Sequence, residues 1–269
     1  MQEAIDFREE CDALAAILDN LGEKDFQRVT LFAEWTIEDV IGHLHMWNRA
    51  AAITLKSREE FQEFLAYFML NAGDSGSMLP VQYMWLDQFE NGVRGKSLYD
   101  SWRAFYHVLA EKYANADPEF RVAWAGPDMN ASSKMIARQM ETWAHGQEVF
   151  DVLGLERTNT DRIRNIAHLG VTTYSWAFRN RGEEPLAPKP YIRLAAPSGA
   201  VWEWNDMQED NAVKGDASEF CQVVTQTRNI DDTQLKTVGP IADRWMRIAQ
   251  CFAGPPKAPP AKGARYKAS

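Results

Sequence analysis

Apolar residues recur every three or four positions from Gln2 to about Leu155, and strand-like alternation is absent from this segment. The spacing matches one face of an α-helix, which turns once in about 3.6 residues. Polar or glycine-containing breaks interrupt the pattern, among them the glycine and serine segment 73–77. Several helices with apolar faces must bury those faces against one another, so the sequence predicts an N-terminal helical bundle.

Capping residues and breaks place the individual helices. Thr36 precedes one periodic run, and Asp39 follows three positions later, as in a capping box. Ser97 is the predicted cap of a later helix, and Gly154 stands where a helix C-terminus is expected. The predicted helices cover residues 6–21, 37–55, 58–71, 80–92, 98–114, 131–153 and 161–179.

The character of the sequence changes at Arg181. Three prolines lie in 182–190, and Pro197-Ser198-Gly199 joins two short β-like runs, Tyr191–Ala195 and Val201–Trp204. Further β-like runs at 211–214 and 234–238 alternate with helical segments at 216–225 and 240–252. The predicted fold class is α+β. A four-helix-type bundle occupies residues 1–181, a small α+β domain residues 182–254 and a disordered Pro-rich tail residues 255–269.

Composition excludes several classes of function. The chain holds 29 basic and 38 acidic residues, for a net charge of −9, and the basic residues form no stripe that could follow a phosphate backbone. The longest strongly apolar run, Phe64–Leu70, is far too short to span a bilayer. The three cysteines lack a metal-binding spacing, and no secretory signal is present. We therefore expect a cytoplasmic protein that binds neither nucleic acid nor membrane, with its oligomeric state open.

One predicted helix carries a pair of potential metal ligands. Glu141 and His145 are four residues apart, so their side chains lie about 40° from each other on one face. Arg138 and Glu148 lie on the same broad stripe and could orient the two ligands. A surface pair of glutamate and histidine has the same spacing, so this pair alone also allows a purely structural interpretation.

The second helix offers two histidines, two residues apart. They point to opposite sides of the helix, and His43 rather than His45 shares its face with Asp39 and Trp47. His43 is therefore the candidate for a third ligand. From spacing alone, the more common role for such a histidine is a core residue hydrogen-bonded to a carbonyl.

Both segments resemble motifs of a known family. Residues 35–44, WTIEDVIGHL, are similar to the stretch W-S/T-x-x-D-V/L-x-x-H-L/I of the DinB-like, mycothiol-dependent maleylpyruvate isomerase superfamily. Residues 138–148, RQMETWAHGQE, resemble its second motif, R-x-x-E-x-x-x-H-x-x-D, with Glu148 in place of the usual aspartate. The resemblance implies a helical bundle that holds one divalent metal ion, commonly zinc, through His43, Glu141 and His145.

The C-terminal unit is similar to the family's sterol-carrier-like α+β domain. In the isomerases an arginine after the helix of that domain points back to the active site, and Arg228 is the matching candidate for a catalytic residue. It would bind a substrate carboxylate through a bidentate contact. The local sequence Thr225–Arg228 differs from the usual leucine- and tryptophan-rich stretch, which is compatible with a different substrate.

The resemblance also implies a reaction class. Three nitrogen and oxygen ligands leave a coordination position open, as in catalytic zinc sites. In the family a low-molecular-weight thiol, mycothiol or a similar one, binds at the metal and attacks a small electrophilic substrate. We therefore expect a thiol-using isomerase or S-transferase. The alternatives are a non-catalytic protein that binds a metal or a small ligand, and a thiol-independent hydrolase. Iron, nickel and manganese also accept such a ligand set.

Overall fold

The computed structural model describes residues 1–72, 78–126 and 128–268. The predicted break at 73–77 and Pro127 of a predicted loop lie outside these residues. Two compact units make up the chain, Met1–Val149 and Phe150–Ser269. The division thus differs from the predicted boundary at 181, because the helices that follow residue 160 pack within the second unit. There, a Cβ atom at Gly170 would lie only 2.8 Å from Val224.

The first unit is built from helices. They are α1 (Gln2–Leu18), α2 (Ile37–Lys56), α3 (Arg58–Asn71), α4 (Leu79–Phe89), α5 (Gly95–Ala114) and α6 (Ala131–Val152), whose last turn enters the second unit. Two short antiparallel strands, β1 (Arg121–Val122) and β2 (Met129–Asn130), precede α6. Buried polar contacts tie the helices together, since Tyr113 of α5 donates to the Ala51 carbonyl on α2 at 2.9 Å. The predicted helical bundle is confirmed.

Two of the predicted helix ends are confirmed and one is wrong. The hydroxyl of Thr36 accepts from the Asp39 amide at 3.1 Å, and the Asp39 carboxylate accepts from the Thr36 amide at 2.8 Å, which completes a capping box. Gly154, with a φ of +69°, closes α6 as a left-handed C-terminal residue. Helix α5, however, begins at Gly95 rather than after Ser97. The Gly95 amide donates to the carboxylate of Glu38 at 2.6 Å, so a distant residue replaces the local cap.

The second unit combines helices with a mixed sheet. Its elements are α7 (Arg164–Thr172), α8 (Tyr174–Arg179), β3 (Tyr191–Ala195), β4 (Val201–Trp204), β5 (Ala212–Asp216), α9 (Ala217–Val224), β6 (Lys236–Val238) and α10 (Pro240–Met246). The strand order is β4-β3-β5-β6, in which β3 and β5 are parallel and the other neighbours antiparallel. The predicted α+β class and its hairpin β3–β4 are confirmed, whereas the single helix predicted over 161–179 is interrupted near Thr173.

Residues 255–268 lie along the second unit and hydrogen-bond with it. The Asn229 amide donates to the Pro260 carbonyl at 2.7 Å, and Arg265 donates to the Gln226 carbonyl at 2.8 Å. The Ala268 amide donates to the Asp151 carbonyl at 2.8 Å. This arrangement differs from the predicted disordered tail, because polar groups of the second unit hydrogen-bond the Pro-rich segment.

Large aromatic side chains fill both cores. Trp102 and Trp143 in the first unit are 0% exposed, and Trp245 in the second unit is 1% exposed. The helices around them keep polar faces. Within the described ranges, no helix is both long enough and apolar enough to cross a membrane.

Candidate metal centre

Three side chains from two helices converge inside the first unit. The Nε2 atom of His43 on α2 lies 3.3 Å from Oε2 of Glu141 on α6, and Nε2 of His145 lies 3.4 Å from the same oxygen. One potential ligand atom from each residue lies within 4.8 Å of the other two. The structure thus brings together the three side chains that the sequence analysis selected.

Local sequence explains how the two helices present these side chains. The capping box fixes where α2 begins, and Glu141 and His145 are one turn apart on α6. Next to His43, Gly42 allows α4 to approach closely. A Cβ atom at Gly42 would lie 2.5 Å from Nε2 of Gln82, which donates to the Asp39 carbonyl at 2.9 Å. A larger residue at position 42 would therefore displace the Gln82 amide from its hydrogen bond with the Asp39 carbonyl.

The protonation states suit metal binding. Burial, together with a smaller effect of the neighbouring His145, lowers the pKa of His43 to about 4. Burial acts to raise the pKa of Glu141, but hydrogen bonds from His145 and His43 outweigh it, so the pKa of this carboxyl lies well below its usual value. Near neutral pH, His43 is neutral and Glu141 is ionised. These are the forms in which imidazole and carboxylate bind metal ions.

The distances fit a divalent ion. Ligand atoms about 2.0–2.1 Å from a tetrahedral zinc ion lie about 3.3–3.4 Å apart, and the two distances to the Glu141 oxygen match that spacing. The side chains of His43, Glu141 and His145 are 7%, 25% and 12% exposed, so Glu141 is the ligand most open to solvent. Nδ1 of His43 is buried without a hydrogen-bond partner among the described residues. Three donors of this kind leave at least one position for water or substrate.

Aromatic rings enclose the histidines. Trp35 stacks on His145 with 5.6 Å between ring centroids and 7° between ring planes, and Phe32 contacts the same ring edge-on at 5.0 Å. The turn that aims both rings contains Ala33 and Glu34, which have φ values of 50° and 58°. A left-handed conformation at such residues costs about 1–2 kcal/mol each, and strain of this kind concentrates at functional sites.

Residue spacing alone did not reveal this aromatic wall. Trp143 on α6 is fully buried in the core. Trp47, however, lies 6.4 Å from the His43 ring, so both Trp35 and Trp47 contact candidate ligands. Trp35 comes directly before the Thr36 cap, and Trp47 comes one turn after His43. These positions could have indicated that both rings lie beside the candidate ligands. The contact of Phe32 depends on the strained turn, which no residue pattern revealed.

The other candidates have different surroundings. His45 lies on the far side of α2, with Nε2 3.3 Å from the Glu90 carboxylate. Arg138 is 2% exposed, and its Nε donates to Asn48 on α2 at 3.0 Å. Glu148 is 1% exposed. That Arg138 and Glu148 orient the ligands stays a prediction.

Arg228 belongs to the second unit and forms a buried ion pair there. Its Nη2 atom donates to Oδ1 of Asp151 at 2.7 Å, and the two side chains are 12% and 4% exposed. Its Nη1 atom donates to the Thr227 carbonyl at 2.8 Å. The predicted role of Arg228 in binding a substrate carboxylate stays a prediction.

Fold and candidate site define an α+β protein whose helical unit brings two histidines and a glutamate together. The chain belongs to the mycothiol maleylpyruvate isomerase family, because residues 7–150 match the model of the mycothiol maleylpyruvate isomerase N-terminal domain. Uncharacterized proteins from two strains of Mycobacterium tuberculosis are 36% identical over 255 residues, covering 93% of this chain and 95% of theirs.

Solved structures support the same fold. The crystal structure of the mycothiol-dependent maleylpyruvate isomerase matches with a TM-score of 0.50 and 14% identity, covering 82% of this chain and 87% of that one. A histidine-to-alanine mutant of the mycothiol-dependent maleylpyruvate isomerase matches with the same TM-score and coverage at 16% identity. At this level of identity the likeness concerns the fold.

Proposed function

We propose that this protein is a divalent-metal enzyme that uses a low-molecular-weight thiol to isomerise, or to transfer a group onto, a small electrophilic substrate. The observation that carries the proposal is the convergence of His43, Glu141 and His145, with two ligand distances of 3.3 and 3.4 Å. Family membership supports the thiol, because the isomerases in that family are named for mycothiol. A cytoplasmic location belongs to the same proposal, since small thiols stay reduced there.

The proposed roles follow from the chemistry of each side chain. His43, Glu141 and His145 hold the ion, which we expect to be zinc. When bound, such an ion acts as a Lewis acid that lowers the pKa of a bound thiol and polarises a carbonyl. Phe32 and Trp35 limit access of water to the histidines, which strengthens electrostatic interactions in the site. Arg228 is the proposed group for the substrate carboxylate.

A comparison of two histidine variants tests the metal site. His43→Gln should lower bound zinc, iron, nickel or manganese to background in elemental analysis of the purified, folded protein. His45→Gln is the matched control, because His45 is also buried on α2 but lies against Glu90. Full metal content in the His43→Gln protein would show that the ligand assignment is wrong.

Activity is tested by combining thiols with electrophiles. The metal-loaded protein is incubated with mycothiol, bacillithiol or glutathione and with maleylpyruvate-like or chloro-aromatic substrates. We expect turnover that needs both the metal and one of the thiols. Activity without any thiol would favour a hydrolase, and metal binding without turnover would favour a non-catalytic binding protein.

The variant Arg228→Lys tests whether the shape of the guanidinium group, and not only its positive charge, is needed to bind the substrate carboxylate. Lysine keeps the positive charge but lacks the planar fork that holds a carboxylate through two hydrogen bonds. If Arg228 binds the substrate, KM should rise for substrates that carry a carboxylate and stay unchanged for those that lack one. An equal change for both kinds of substrate would indicate a structural role in the ion pair with Asp151.

A further inference from the structure

A buried amine lies beneath an indole ring in the first unit. Lys134 on α6 is 0% exposed, and its Nζ atom lies 2.6 Å from the centroid of the Trp124 ring. Among the described residues, this nitrogen has no hydrogen-bond partner. A buried polar group without such a partner costs free energy, and a buried charge costs more. A negatively charged ligand that reached the amine would remove this cost.

Aromatic side chains connect the amine with the candidate metal ligands. Trp124 lies 5.3 Å from Trp47, and Trp47 lies 6.4 Å from His43, measured between ring centroids. Lys134 is seven residues before Glu141 on α6, which corresponds to about 10 Å along the helix axis and to the same helix face. The amine and the candidate metal centre therefore share one wall of the bundle.

The local charges favour an anion. Burial lowers the pKa of Lys134 well below its usual value, and the charge of Arg138 lowers it further. Arg138 follows one turn later on α6 and is itself buried. A carboxylate that entered here would form a charge-assisted hydrogen bond with the amine, and its charge would favour the protonated form of Lys134.

The indole of Trp124 covers one side of the amine. Trp124 lies in the segment 123–126 after β1 and is partly exposed, whereas the lysine beneath it is closed to solvent. Because Trp124 lies outside the helices, its indole could move away from this side of Nζ without the unfolding of a helix. We propose that Lys134, covered by Trp124, is a binding subsite for a carboxylate group of a small organic acid.

Binding at this subsite involves one proton. The carboxylate enters as an anion, the neutral amine takes up a proton from solution, and an ammonium–carboxylate pair results. That this acid is the electrophilic substrate rests on the proposed function, whereas the subsite itself rests on Lys134 and Trp124. The two can be tested separately, because anion binding is measurable without the metal.

Calorimetric titration with sodium maleate tests the subsite in the full-length protein, both zinc-loaded and after chelation. Lys134→Met removes the amine and keeps an apolar chain, and Lys24→Met, at an exposed lysine, is the matched control. We expect wild type and Lys24→Met to take up about one proton per maleate, read from heats in buffers of different ionisation enthalpy. Lys134→Met should bind at least about 30-fold more weakly, as expected when one partner of a buried charge pair is removed.

Two results would overturn the subsite: equal maleate affinity and proton uptake in Lys134→Met and wild type, or no maleate binding by wild type in either form. Proton-coupled binding by a chain that binds no zinc would support the subsite and contradict the proposed function. If Lys134→Met fails to fold, Trp124→Ala provides a second measurement. Mass spectrometry should show Lys134 carbamylated by cyanate in that variant and protected by maleate, and absence of protection would refute the proposal.

Discussion

Acidification should destabilise the metal-free protein through His43. Burial lowers the pKa of this histidine from 6.5 to about 4 in the folded chain, so between these pH values the unfolded state binds its proton more readily. Stability is therefore lost as the pH falls from about 7 toward about 4. The two pKa values give a contribution of about 0.2 kcal/mol at pH 7 and about 2 kcal/mol at pH 5. Replacing His43 by glutamine removes this contribution.

Urea unfolding at 25 °C in the presence of a chelator, followed by far-UV circular dichroism, measures the effect. Between pH 7 and pH 5 the wild type should lose about 2 kcal/mol more free energy of unfolding than His43→Gln does. His43 is neutral in the folded protein over most of this range, so the variant removes no charge, and the glutamine amide can still donate to the Glu141 carboxylate that His43 contacts at 3.3 Å. His107→Gln controls for loss of a histidine whose side chain is 50% exposed. Equal losses in wild type and His43→Gln would refute the reasoning.

Three further perturbations have defined outcomes. Glu141→Gln keeps the shape of the side chain but removes the carboxylate. In a zinc titration, the affinity for zinc should fall by more than the roughly 10- to 100-fold that is typical when a residue that only orients a ligand is replaced. Thr36→Ala removes the hydroxyl that accepts from the Asp39 amide, so urea unfolding should show a free energy of unfolding lower by about 0.5–2 kcal/mol. The control Ser101→Ala, inside α5, should lower it by less. Gly170→Ala places a Cβ atom 2.8 Å from Val224 and 3.1 Å from Phe220. Overpacking should outweigh the gain in helix propensity and destabilise the second unit by about 1 kcal/mol. An unchanged or higher melting temperature would contradict that packing.

Local patterns predicted the parts of the fold that depend on local interactions. The capping box at Thr36 and the C-terminal Gly154 act within a few residues, and both helix ends form where the sequence placed them. The start of α5 could not be found in this way. Its first amide is satisfied by Glu38, 57 residues away in the chain, so the helix begins before the local candidate Ser97.

The candidate site was likewise predictable only where it depends on local spacing. Helical periodicity selected the face of His43 and the pairing of Glu141 with His145, because side-chain direction on a helix follows from residue spacing. The buried amine of Lys134 could not be anticipated, since a lysine in an otherwise regular helix is commonly solvent-exposed. Its burial results from Trp124, which reaches it from outside α6, and from packing against the neighbouring helices.

Burial beside aromatic rings and contacts between the candidate ligands set the protonation states of His43 and Glu141. Trp35 lies 5.4 Å from the His43 ring, measured between ring centroids, and burial of this ring disfavours a charged imidazole, so His43 stays neutral at physiological pH. The pKa of Glu141 stays low in the same environment because hydrogen bonds and electrostatic interactions with the two histidines outweigh the effect of burial. A metal ion that arrives at neutral pH consequently meets a neutral imidazole and an ionised carboxylate. The strained turn at Ala33 and Glu34 connects Phe32 with Trp35, the two rings that contact His145.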